Sequence, residues 1–155
     1  MFGLKRKKNL ALVTPTTGEV INLDKVSDEV FSSRIMGDGF AIIPTSNEVV
    51  SPIDGEVLSI FPTKHALTIR SNEGLEILIH MGIDTVALKG EGFEIYVSEG
   101  DKISATQPIA NMDLDYINEQ DKETTIMILI TNLDKRRVNV LEGQSDPGTL
   151  VLFVK

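Results

Sequence analysis

The sequence contains no cysteine, which excludes disulfides, thiol nucleophiles and thiolate-held metals. No apolar run approaches the roughly 20 residues that cross a bilayer as a helix. Residues 1–13 carry basic side chains but lack the apolar stretch of a secretory signal. These absences together fit a cytoplasmic chain. There is no G-x-S-x-G elbow, no P-loop and no G-x-G-x-x-G opening a helix. The remaining nucleophile candidates are serine, threonine, carboxylates, lysine and histidine. Histidine is scarce, with only two in 155 residues, so attention falls on His65 and His80.

What is present is ordinary for a soluble domain: 41% hydrophobic and 25% charged residues, enough chain for one real core. A formal charge of -8 should make the body repel nucleic acid and anionic membrane. Lys5, Arg6, Lys7 and Lys8, flanked by Phe2, Leu4 and Leu10, run against that trend. Residues 1–12 are read as a basic flexible tail ahead of a single domain over 13–155. The bland reading of the tail is a solvated segment. The alternative is a weak, salt-sensitive contact with an anionic leaflet, worth at most ~1 kcal/mol per cation.

From residue 12 onward, short apolar runs alternate with turn residues. Runs at 18–20, 41–43, 57–61, 66–69, 75–80, 93–97, 108–110, 124–130 and 149–154 read as strands. Turn-rich segments at 37–39, 52–55, 71–74, 90–92 and 98–101 separate several of them. Many short strands punctuated this way predict an all-β fold, an antiparallel sandwich or barrel-sandwich hybrid. One or two very short helices are expected, at 27–31 and 113–119, each opened by a capping residue type.

The two histidines can be related by strand register. Residues 67–70 and 75–80 flank the turn 71–74 and should form a hairpin. If Ser71 pairs with Gly74, or Arg70 with Leu75, opposed residue numbers sum to 145 and His65 faces His80. Directly opposed side chains have Cβ atoms roughly 4.5–5.5 Å apart. Two imidazoles so placed can share a phosphoryl group, a proton or a metal. A three-residue loop shifts the register by one and sends them to opposite faces. Composition and spacing go no further than this.

The stretch GLEILIHMGIDTV at 74–86 resembles the active-site signature of glucose-type enzyme IIA, a component of the bacterial phosphoenolpyruvate-dependent sugar phosphotransferase system. The resemblance extends through ALKGEGF at 87–93, TKHA at 63–66, VF and IMGDG within 30–39, and SPIDG at 51–55. It implies that His80 is the residue phosphorylated on Nε2 by the carrier HPr, and that His65 hydrogen-bonds the phosphoryl oxygens. Thr63 matches a hydroxyl close to both rings. Gly82 lies where a backbone carbonyl takes the His80 Nδ1 proton and fixes the tautomer. Val30, Phe31, Ile35, Leu78 and Met81 match an apolar docking collar, and Asp28 and Asp84 an acidic rim. Leu78 and Met81 stand where relatives often carry aromatics, and core packing is an equal reading for Leu78. The sequence given holds no enzyme IIB or membrane domain, so the resemblance implies a separate IIB of a sugar permease as acceptor. No cofactor and no resident metal are expected.

Three other readings compete. A regulatory binding module, meeting permeases or kinases according to phosphorylation state, would use the same face. A swinging-arm carrier echoes the segments 50–57 and 98–103, but Asn111-Met112-Asp113 offers no lysine to modify. A zinc peptidase needs three protein ligands plus water, and the chain has two histidines with no H-x-H or H-E-x-x-H.

Overall fold

The computed structural model describes residues 10–155. Its strands, in chain order, are β1 (Ala11–Val13), β2 (Gly18–Asn22), β3 (Asp38–Pro44), β4 (Glu48–Val50), β5 (Gly55–Ile60), β6 (Ala66–Ser71) and β7 (Glu76–Ile83). They continue with β8 (Phe93–Ile95), β9 (Lys102–Ile103), β10 (Pro108–Met112), β11 (Glu123–Ile130), β12 (Val138–Val140), β13 (Gly143–Ser145) and β14 (Leu150–Val154). All described pairings are antiparallel. The main sheet runs β13-β2-β3-β11-β7-β6-β5-β9, and two three-stranded sheets, β1-β14-β12 and β4-β10-β8, complete the fold. This is the antiparallel all-β sandwich class expected from the sequence. No closed barrel forms among the described strands.

Each of the nine runs read from the sequence carries a strand. The two short helices appear as α1 (Glu29–Ser32) and α2 (Leu114–Glu119). Asp28 caps α1 by accepting from Val30 N, and Asp113 caps α2 by accepting from Tyr116 N, which satisfies amides that have no partner inside the helix.

The tail boundary drawn at residue 13 moves toward the N-terminus. Leu12 is fully buried in the core, and Leu10 O accepts from Val154 N. An apolar side chain inside the core belongs to the folded body. Lys5, Arg6, Lys7 and Lys8 lie outside the described residues.

Alternation along β7 sorts its side chains. Ile77, Ile79 and Met81 enter the larger core with Ile126, Ile128 and Ile130 of β11. Leu78 joins a smaller cluster on the other face with Phe31, Ala41, Ala66, Met127 and Leu129. At Gly82 the phase slips, because the ladder to β11 is irregular there, and Ile83 joins the smaller cluster. A bulge that re-aims side chains is a common device beside a functional site.

Candidate active site

His80 lies on β7 on the face of the smaller cluster, half-buried under α1. The Phe31 ring sits 4.8 Å from its ring, tilted by 54°. His80 Nδ1 is 2.8 Å from Gly82 O. A carbonyl can only accept, so Nδ1 bears the proton and the Nε2 lone pair is free. Gly82 has φ +87°, and a Cβ there would stand 2.4 Å from Thr85 Cγ2. Only glycine fits that conformation and that approach, and the resulting kink brings the carbonyl of Gly82 back onto the ring two residues earlier.

His65 reaches the same place by another route. The hairpin loop is Asn72-Glu73-Gly74, three residues long, closed by Ser71 N donating to Leu75 O and by Leu75 N donating to Ser71 Oγ. Ser71 prefers to cap the loop from both its amide and its hydroxyl, so the register is one step from that expected. His80 opposes Ala66, not His65. Strict alternation would then place His65 on the far face. It is spared because β6 begins only at Ala66, after a turn through Phe61-Pro62-Thr63 in which Lys64 takes the left-handed φ of 60°. His65 O still accepts from Met81 N at 2.7 Å, while its side chain turns toward His80. The rings end 4.9 Å apart, near-perpendicular at 77°. Ala66, the residue opposite His80, is small enough to leave that space.

Thr63 Oγ1 holds His65 Nδ1 at 2.7 Å, and Phe61 meets the His65 ring edge-on at 5.5 Å. His65 is 4% exposed, and its burial lowers its pKa. Burial first, and the nearby His65 second, push His80 from 6.5 down to about 4, against the opposing pull of Gly82 O, Asp28 and Asp84. Asp28 caps α1, which carries Phe31, and Asp84 follows the end of β7. They also line a hollow of about 330 Å³ with Ser27, Ile83, Asp121, Lys122 and Glu123.

The remaining expected residues divide. Val30 is exposed beside Phe31, and Phe31 itself is buried against His80. Ile35 is exposed but lines a separate hollow with Arg34, Met36, Ile130 and Arg136. Leu78, only 4% exposed, packs beneath the site. Met81 is fully buried in the larger core, so the collar role expected for these two is corrected: neither offers a surface to a partner. Phe61 and Val86 are exposed apolar residues on the turns that carry His65 and follow Asp84, and the sequence reading overlooked both. Their position inside those two segments was the available signal. Among the described residues no group of three or more metal-ligating side chains occurs.

Comparison with known proteins converges on one family. Residues 10–136 match the model of the phosphoenolpyruvate-dependent sugar phosphotransferase system, EIIA 1. Over 133 residues the chain is 47% identical to the PTS system glucose-specific EIIA component of Staphylococcus aureus, covering 86% of this chain and 80% of that one. It is 48% identical over 142 residues to the PTS system glucose-specific EIICBA component of Staphylococcus carnosus, where it spans only 21% of the longer protein. Glucose permease IIA from Mycoplasma capricolum superposes with a TM-score of 0.89 at 37% identity, covering 99% of both chains. With a family model over most of its length, a close relative and a matching fold, the chain belongs to the glucose-type EIIA family of this phosphotransferase system.

Proposed function

We propose that this chain is a cytoplasmic phosphocarrier that accepts a phosphoryl group on His80 Nε2 from phospho-HPr and donates it to an enzyme IIB of a sugar permease. The observation that carries this reading is the 2.8 Å contact of His80 Nδ1 with Gly82 O, which holds the proton on Nδ1 and leaves the Nε2 lone pair free. In acceptance, the lone pair of Nε2 forms an N–P bond as the bond from phosphorus to the HPr imidazole breaks. Donation reverses the roles. Such transfer depends on positioning and charge stabilisation more than on covalent help from the protein.

His65 supplies the stabilisation. With Thr63 Oγ1 donating to its Nδ1, His65 keeps a proton on Nε2 and offers it to a phosphoryl oxygen. A phosphoryl group brings roughly -1.5 to -2 charge, and that donor disperses part of it. Asp28 and Asp84 form an acidic margin that steers a basic partner, while Val30, Phe61 and Val86 give it apolar contact. The same face would report phosphorylation state to a regulated permease or kinase. The basic residues at 5–8 add at most a weak membrane contact.

The test is transfer of label from phosphoenolpyruvate through enzyme I and HPr. Wild type should acquire acid-labile, base-stable label and His80→Ala none. His65→Ala should accept label but pass it poorly to enzyme IIB. Labelled His80→Ala would refute the site, and undiminished donation by His65→Ala would refute its role.

A further inference from the structure

Thr85 is a buried hydroxyl with no part in the scheme above. It follows the Gly82 kink, is 0% exposed, and its Oγ1 donates to Met81 O at 2.7 Å. Its methyl stands where a Gly82 Cβ would collide. The peptide joining Met81 to Gly82 is therefore tied on one side by Thr85, and Met81 N is tied on the other to His65 O. Beyond the kink, Ile83 is paired with Glu123. Gly82, with φ +87°, lies between these anchors.

We propose that Thr85 is a positioning residue that fixes the tautomer of His80. The effect passes through two successive carbonyls, Met81 O and Gly82 O. Thr85 holds the Met81–Gly82 peptide, which sets the orientation of Gly82 and so of the next carbonyl, Gly82 O, against His80 Nδ1; that hydrogen bond keeps the proton off Nε2. A buried carbonyl left without its donor costs free energy comparable to a lost hydrogen bond, so the kink relaxes when the hydroxyl is removed. Gly82 O then drifts from the ring, and the Nε2–H tautomer, which has no lone pair to attack phosphorus, becomes populated. The same hydroxyl also links the two histidines, because the residue it steadies is the one whose amide binds His65 O. The consequence for catalysis rests on His80 being the phosphoacceptor; the consequence for the tautomer does not.

The experiment compares wild type, Thr85→Val and Thr85→Ser by long-range 15N–1H spectra of the histidine rings and by the rate of phosphoryl acceptance. Wild type should show protonated Nδ1 and unprotonated Nε2 on His80. Thr85→Val keeps the shape and the methyl but loses the donor; it should move the ring toward Nε2–H and slow acceptance about tenfold, the scale of one lost hydrogen bond. Thr85→Ser should retain both the wild-type spectrum and rate. A folded Thr85→Val with the wild-type tautomer overturns the proposal. So does a Thr85→Ser with the Nε2–H tautomer, which tests the idea even if the valine variant does not fold. If the spectra behave as expected but wild type accepts no phosphoryl group, the positioning role stands and the phosphocarrier reading falls.

Discussion

The two faces of β7 teach different lessons. One carries Ile77, Ile79 and Met81 into the larger core, all fully buried. The other carries Leu78 and His80 against α1 and the smaller cluster. Neighbouring residues on one strand are thus set to opposite tasks: Met81 packs into the larger core, while His80, one position earlier, faces the proposed site. The smaller cluster is neither plain core nor plain surface. It dries His80 enough to lower its pKa yet leaves the residue only half-buried.

The sharpest break of this comparison is a double dissociation. His80→Ala should abolish phosphoryl acceptance while its urea midpoint stays close to wild type. Met81→Ala should keep acceptance at temperatures where it is folded, but lose about 2–5 kcal/mol of stability to the cavity it leaves. Denaturation and labelling on the same samples decide it, and a Met81→Ala as stable as wild type would erase the distinction.

The next contrast is in pH. An unfolded histidine titrates near 6.5 and folded His80 near 4. The unfolded state therefore binds a proton that the native state refuses. Ionisation of His80 therefore costs the native state nothing above pH 6.5, destabilises it increasingly as pH drops from 6.5 to 4, and by a constant amount below that. The loss over this window is up to roughly 3 kcal/mol. The difference in stability between wild type and His80→Gln across this range isolates the effect from titrating carboxylates. Parallel curves would mean that His80 is not held neutral.

A smaller effect sharpens the role of α1. Asp28→Ala removes the cap on a four-residue helix and should cost about 1 kcal/mol. It should also raise mobility of Phe31, read as line broadening of the His80 ring signals. An unchanged stability would show that Phe31 packing, and not the cap, holds the helix in place.

Much of this was legible in the sequence, for physical reasons. The nine runs are apolar or alternating stretches, most of them bounded by turn residues, and Asp28 and Asp113 fall within the segments read as helices. Strands β1, β4, β9, β12 and β13 have two or three residues each, and they are strands by virtue of long-range pairing and not of a local pattern. Met81 was misplaced, and Leu78 left open between docking and core, because a motif carries no information about which face of a strand a residue occupies. The histidine pairing was reached by a register that the Ser71 loop does not adopt. It holds through the irregular turn at Lys64, which no pairing rule anticipates.

The sequence by itself determined the strand-rich class, the scarcity of histidine and the signature around His80, because these depend on residue identity and local spacing. The tertiary structure alone decided which face Met81 takes and how His65 comes to meet His80. It alone fixed the carbonyl that holds the His80 proton. Each of those turns on the direction of a single peptide or side chain, and direction is set by long-range hydrogen bonds and packing that local sequence does not encode.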